Sequence, residues 1–152
     1  MQAKLNILLM IALCFIAMPM HSPRAQIFPP GTFAIDGIPV HCGPVTTVLQ
    51  PNLPDVGMAD GRGNIFLNPL VLNNLPTVLK LYWFAHECGH YNVGPDEVSA
   101  DCWAVKTGRN QRWFSPQDFQ WLMMMFQNNP GDMAHPSGLQ RVQMMWQCYN
   151  SP

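Results

Sequence analysis

His86-Glu87-Cys88-Gly89-His90 is the segment of this chain whose residue types and spacing could do chemistry. Two histidines four residues apart fall ~40° from one another around a helix, so both imidazoles can reach one metal ion. Glu87 flanks that face, where a carboxylate can take a proton from metal-bound water. Glu97 and Asp101 follow, one helical turn apart. Gly94-Pro95 breaks the backbone after His90, so a second helix can turn back and aim its first turn at the ion. Glu97 is then the expected third ligand. Two imidazoles and one carboxylate leave a fourth position open for water, as catalytic zinc sites do. Asp101 is placed to accept the remaining N–H of a ligand histidine, which fixes ring tautomer and orientation. The competing reading makes Glu97 and Asp101 an acidic, solvated helix face; a neighbouring His-Glu-x-x-His argues against it. The expected cofactor is one zinc ion per chain.

Those residues must be held by two helices and by whatever packs against them. Pro76 suits the start of a helix running to about Asn92. Gly94-Pro95 stops it and starts the next, which ends near Gly108. Tyr82, Trp83 and Phe84, just before His86, are read as packing that helix into the core, and Met123, Met124, Met125, Met144 and Met145 as core filling. Ser115-Pro116-Gln117-Asp118 resembles a capping box opening a third helix, closed by Asn128-Asn129-Pro130-Gly131. His135-Pro136 opens a last helix toward Cys148. Upstream, residues 26–44 read as irregular, 45–49 as a first strand, and 56–59 with 64–67 as a hairpin about Asp60-Gly61-Arg62-Gly63. A short helical turn is expected at 69–74. The expected fold class is α+β, mainly helical, with a small and largely antiparallel sheet.

Composition sets the surroundings. The chain has 152 residues with a net charge of −1 and 11% charged residues, so no basic surface argues for nucleic acid. Lys4 precedes an apolar run at 5–18, broken only by Asn6 and ended by Pro19. This pattern resembles an export signal with processing at Ala25, although Pro23 is unfavourable three positions before the cut. The run is short against the ~20 apolar residues of a membrane span, the rival being a retained anchor. Residues 1–25 are therefore read as signal and 26–152 as one domain, periplasmic or secreted, with no membrane span of its own. Its removal would take Lys4 and Arg24 and leave a net charge of −3. Cys42, Cys88, Cys102 and Cys148 then form an even set in an oxidised domain. Three pairings are possible. Cys88–Cys102 with Cys42–Cys148 is the expectation, since the first would join the two ligand helices and the second the domain ends. Thiolate ligation of zinc fits less well, because Cys88 points away from both histidines around the helix.

The run His86-Glu-Cys-Gly-His90, then Glu97-Val-Ser-Ala-Asp101, then His135-Pro136-Ser137-Gly138-Leu139-Gln140-Arg141, resembles the gluzincin zinc peptidases. It is most similar to the group of the CAAX prenyl endopeptidases and their soluble minimal relatives. Residues 63–68 also resemble the edge strand that precedes the active-site helix in that group. The resemblance spans roughly residues 56–145. It implies that His135 donates to the oxyanion of the tetrahedral intermediate and that Arg141 pairs with Asp101 or Glu97. The chain departs from the group in lacking further membrane-spanning segments and in the short link between His90 and Glu97. These departures argue against a prenylated membrane substrate and for a reduced, open cleft.

Two functions follow as expectations. One is an exported zinc endopeptidase acting on a peptide or protein substrate, with Glu87 as base and the strand at 64–67 binding substrate backbone by β-addition. The other is a non-hydrolytic zinc-binding domain used for binding or assembly. Glu87 favours the enzyme, because a purely structural site needs only its ligands and closes the fourth position.

Overall fold

A computed structural model of the chain describes residues 24–133 and 136–152. The signal expected at 1–25 therefore lies almost wholly outside the described residues, and so does His135. The fold is α+β and mainly helical, as the punctuation of the sequence predicts. The strands are β1 (Gln26–Phe28), β2 (Ala34–Ile35), β3 (Ile38–Pro39), β4 (Thr46–Leu49), β5 (Gly57–Ala59) and β6 (Asn64–Leu67). The α-helices are α1 (Pro69–Leu72), α2 (Thr77–Val93), α3 (Glu97–Gln111), α4 (Phe119–Phe126) and α5 (Gly138–Asn150).

One sheet runs β1-β4-β6-β5, with β4 and β6 parallel and the outer pairs antiparallel; β2 and β3 form a separate hairpin. The segment read as irregular thus contains three short strands. With two or three residues each, they carry too little alternation to be seen in sequence. The hairpin of β5 and β6 forms about the expected turn, where Asp60 accepts from the backbone N–H of Arg62 and Asn64. Its order in the sheet corrects an expectation. β6 lies inside the sheet, between β4 and β5; the edge strands are β1 and, on the side of the hairpin, β5.

Helix α2 is the central element. Leu79, then every residue from Leu81 to Gly89, is buried, including Tyr82, Trp83 and Phe84. It can be apolar on nearly all sides because the sheet, α3 and α4 surround it. Gly89 sets its distance from α3: a Cβ there would lie 3.0 Å from the Cα of Ala100. The bare backbone lets the helix that carries His86 and His90 and the helix that carries Glu97 cross in contact. The Ser115–Asp118 capping box forms, with Asp118 accepting from the Ser115 N–H, and leads through a 3-10 turn into α4. A second box, Ser137 with Gln140, opens α5 two residues beyond the expected His135-Pro136 start.

Two further expectations are corrected. The disulfides are Cys42–Cys88 and Cys102–Cys148, not Cys88–Cys102 with Cys42–Cys148. Cys88 faces away from α3, as its angular distance from the histidines requires, and meets the loop before β4. Cys102 faces α5 instead of α2. The methionines are not all core: Met145 is fully buried and Met125 packs partly against the core, whereas Met123, Met124 and Met144 are exposed.

Each bridge spans 46 residues. Chain entropy puts such a cross-link at about 4 kcal/mol, inside the usual range of ~2–5 kcal/mol for a native disulfide. Non-reducing digestion should yield linked peptides containing 42 with 88 and 102 with 148. Cys148→Ser paired with Cys102→Ser should lower unfolding free energy by about 2–5 kcal/mol in denaturant titration. A linked 88–102 peptide would refute this connectivity.

Candidate metal centre

His86 and His90 stand one turn apart on α2, and Glu97 is the first residue of α3. Asp96 caps that helix by accepting from the Ser99 N–H, which fixes the first turn carrying Glu97. Nε2 of His86 lies 3.2 Å from Oε2 of Glu97, and Nε2 of His90 lies 3.6 Å from its Oε1. One ligand atom from each of the three residues falls within 4.8 Å of the others. Donors held by a tetrahedral ion at ~2.0–2.2 Å stand about 3.3–3.6 Å apart, so this set fits a single metal ion.

Both rings are held through Nδ1, which turns Nε2 toward Glu97. For His90 the partner is the Gly94 carbonyl at 3.1 Å. Gly94 sits at φ 91°, a conformation that glycine adopts without strain, and it ends α2 there. For His86 the partner is Asp101, whose Oδ1 lies 2.9 Å from Nδ1. That approach is short but poorly aligned for the ring N–H, so it is best described as an ion pair.

Asp101 is fully buried. Arg141 donates to both its oxygens, Nε to Oδ2 and a terminal nitrogen to Oδ1, each at 2.8 Å. The Tyr82 hydroxyl donates to Oδ1 as well. Burial raises this carboxyl, but His86 and Arg141 outweigh burial and bring it down to about 2. Arg141 reaches Glu97 only at 3.9 Å, and its guanidinium lies over the Phe126 ring. Of the two partners expected for Arg141, Asp101 is the close one.

Glu87 points to the other side of the cleft. It is 4% exposed, and the backbone N–H of Ala59 in β5 favours its charged form. Burial pushes it up; His86 opposes that and Glu97 and Asp55 add to it, giving about 7. For His86, burial works against the charged ring, yet Asp101 and Glu97 raise it to about 9. The cleft between α2, α3 and β5 has a volume of about 480 Å³ and is lined by Gly57, Met58, Ala59, Glu87 and the three ligand candidates.

The structure brings His86, Glu87, His90, Glu97, Asp101 and Arg141 into one site. Three further parts escaped sequence reasoning: the Gly94 carbonyl, the Tyr82 hydroxyl and the β5 edge. Tyr82 had a signal, since it lies four residues before His86 on the same helix face. The backbone groups had none. No protein-family model, characterised protein or solved structure matches this chain. Among the described residues no helix is long and apolar enough to cross a membrane, and the two disulfides point to an oxidising compartment.

The charge state of the metal-free site gives its pH behaviour. His86 and Glu87 both bind protons more tightly folded than unfolded, so each favours the metal-free fold at low pH. The His86 contribution is complete below about 6.5 and lost as pH rises through about 9; that of Glu87 is lost between about 4.5 and 7. Metal binding must displace the His86 proton. At pH 7 it should release about one proton per ion, read from calorimetry in buffers of different ionisation enthalpy. Apparent affinity should fall about tenfold per pH unit on acidification. Proton uptake on binding would overturn the assignment of His86 as ligand.

Asp101→Ala should weaken metal binding by ~10–100-fold. Arg141→Leu leaves a buried carboxylate without its cation and should cost about 3–5 kcal/mol in denaturant titration. Unchanged values for both variants would refute the described network.

Proposed function

We propose that this chain is an exported, zinc-dependent endopeptidase of the periplasm or extracellular space. The observation that carries the reading is Glu87. Its carboxyl lines the same cleft as the ligand triad and holds no cationic partner among the described residues besides His86, as a proton acceptor beside a metal site must. A site that only holds structure has no use for such a group. The open cleft and the resemblance of the three sequence segments to gluzincin peptidases support the same reading.

His86, His90 and Glu97 would hold the ion. A zinc ion there supplies a Lewis acid and an activated water. Asp101 keeps the His86 ring oriented and, with Arg141 opposite, keeps its own charge compensated. Strand β5 binds the substrate. Val56 and Asp60 exchange backbone hydrogen bonds with the β6 side, so by alternation Gly57 and Ala59 direct their main-chain groups outward, to the cleft. An extended peptide laid against the main-chain groups of Gly57 and the Ala59 carbonyl presents its scissile carbonyl to the site. Glu87 accepts the proton of the attacking water and returns it to the leaving amine nitrogen, which departs as a neutral amine. His135 is the donor to the oxyanion on the strength of the sequence resemblance.

Glu87→Gln preserves size and removes the base. It should keep stoichiometric zinc and the thermal midpoint while lowering kcat on a broad peptide library by at least ~10²-fold. His135→Ala should keep zinc and lower kcat by ~10²–10³-fold, the scale of a lost oxyanion donor. A zinc-loaded wild type that cleaves neither the library nor an unfolded protein would end the peptidase reading. The non-hydrolytic zinc-binding domain would then take its place.

A further inference from the structure

We propose that Gly57 is the positioning residue for Glu87: strand β5 carries no side chain at that point so that the carboxyl can seat against bare backbone. A Cβ on Gly57 would lie 2.7 Å from Oε1, 2.9 Å from Cγ and 3.1 Å from Cδ of Glu87. Side chains of ordinary residues do not approach so closely, so one group would have to move. Backbone conformation is not the reason for glycine here, because Gly57 is not among the residues with positive φ. The requirement is space, and the three nearest atoms that a Cβ would meet all belong to Glu87.

The direction in which Glu87 can yield is into the cleft, away from β5. The residue is buried on a helix whose neighbouring residues His86 and Cys88 are also buried, and Cys88 is tied to Cys42. Its carboxyl occupies the space that a Cβ on Gly57 would need, and the backbone N–H of Ala59 favours its charged form there. A methyl group at 57 pushes the carboxyl off the Ala59 N–H. On this proposal it leaves the ligand atoms on α2 and α3 in place, since the nearest atoms that a Cβ would meet are those of Glu87. The outward main-chain groups of Gly57 also remain available to a substrate strand. Crowding at 57 therefore separates the placement of the base from metal binding and from peptide binding. The inference rests on Glu87 being the base of the proposed reaction.

The test is Gly57→Ala in the zinc-loaded full domain. The expected result is stoichiometric zinc, KM within about threefold of wild type and kcat lower by ~10²-fold, the scale of a misplacement near 1 Å. In a Glu87→Gln background the same substitution should cost nothing further, because Gly57 acts only through that carboxyl. An equal loss in both backgrounds, or an unchanged kcat in the first, would overturn the proposal. A second readout does not depend on hydrolysis. In zinc-free protein the Ala59 amide proton should shift on Gly57→Ala in the same direction as on Glu87→Gln, both having removed the carboxylate acceptor. An unmoved Ala59 amide would overturn the proposal even if the peptidase reading stands. Conversely, a wild type without hydrolysis but with both amide shifts leaves the seat of Glu87 established and removes only the reaction. Should Gly57→Ala unfold, Gly57→Ala with Glu87→Asp shortens the opposing side chain and should recover the thermal midpoint of Glu87→Asp alone. Failure to recover it would also overturn the proposal.

Discussion

The organisation of this molecule depends on one buried negative charge. Asp101 sits with no solvent exposure at the meeting of α2, α3 and α5. An isolated carboxylate there would cost many kcal/mol, so the structure must deliver compensating groups to it. Arg141 comes from α5 with a two-pronged guanidinium, and Tyr82 and His86 come from α2. Each of these groups fixes the rotation of its helix about its own axis. The ligand nitrogen of His86 is thereby aimed by a charge balance on the far side of its ring. Phe126, below the guanidinium, brings α4 into the same arrangement.

This explains why the candidate site was readable in sequence while much of its surroundings was not. His86, Glu87, His90, Glu97 and Asp101 lie on two consecutive helices, where spacing translates directly into angle and distance. Arg141 lies 40 residues further on and was reachable only through a resemblance of sequence segments. The Gly94 carbonyl and the Ala59 N–H are backbone groups that every residue possesses, so no residue type marks them. The place of β5, and not β6, at an edge of the sheet depends on which strand pairs with β4, a long-range choice that a hairpin signal leaves open.

The disulfides and the methionines teach a related point about faces. Angular arithmetic placed Cys88 away from the histidines, but it does not say what waits there. The loop at Cys42 does, and that follows from how the sheet wraps behind α2. Met123 and Met124 occupy a short helix whose buried face is already filled by Phe119, Leu122 and Phe126. The remaining positions of such a helix face outward whatever their hydrophobicity. The broad elements were legible because Pro, Gly and capping residues act locally: the box at Ser115, the stop at Gly94 and the turn at Asp60.

The two bridges follow one another along the chain without interlocking, closing residues 42–88 and 102–148 into separate rings. Between 42 and 148, only the stretch from 89 to 101 belongs to neither ring, and it carries His90, Glu97 and Asp101. A single backbone cut inside either ring leaves every atom of the oxidised chain covalently joined. A cut in the intervening stretch divides the chain into two pieces, with His86 on one and Glu97 on the other for most points of cleavage. An ion held by His86 and Glu97 would then join those pieces at the site, beside the contacts of Tyr82 and His86 with Asp101. Between residues 42 and 148, vulnerability to nicking is thus concentrated in the thirteen residues that carry His90, Glu97 and Asp101.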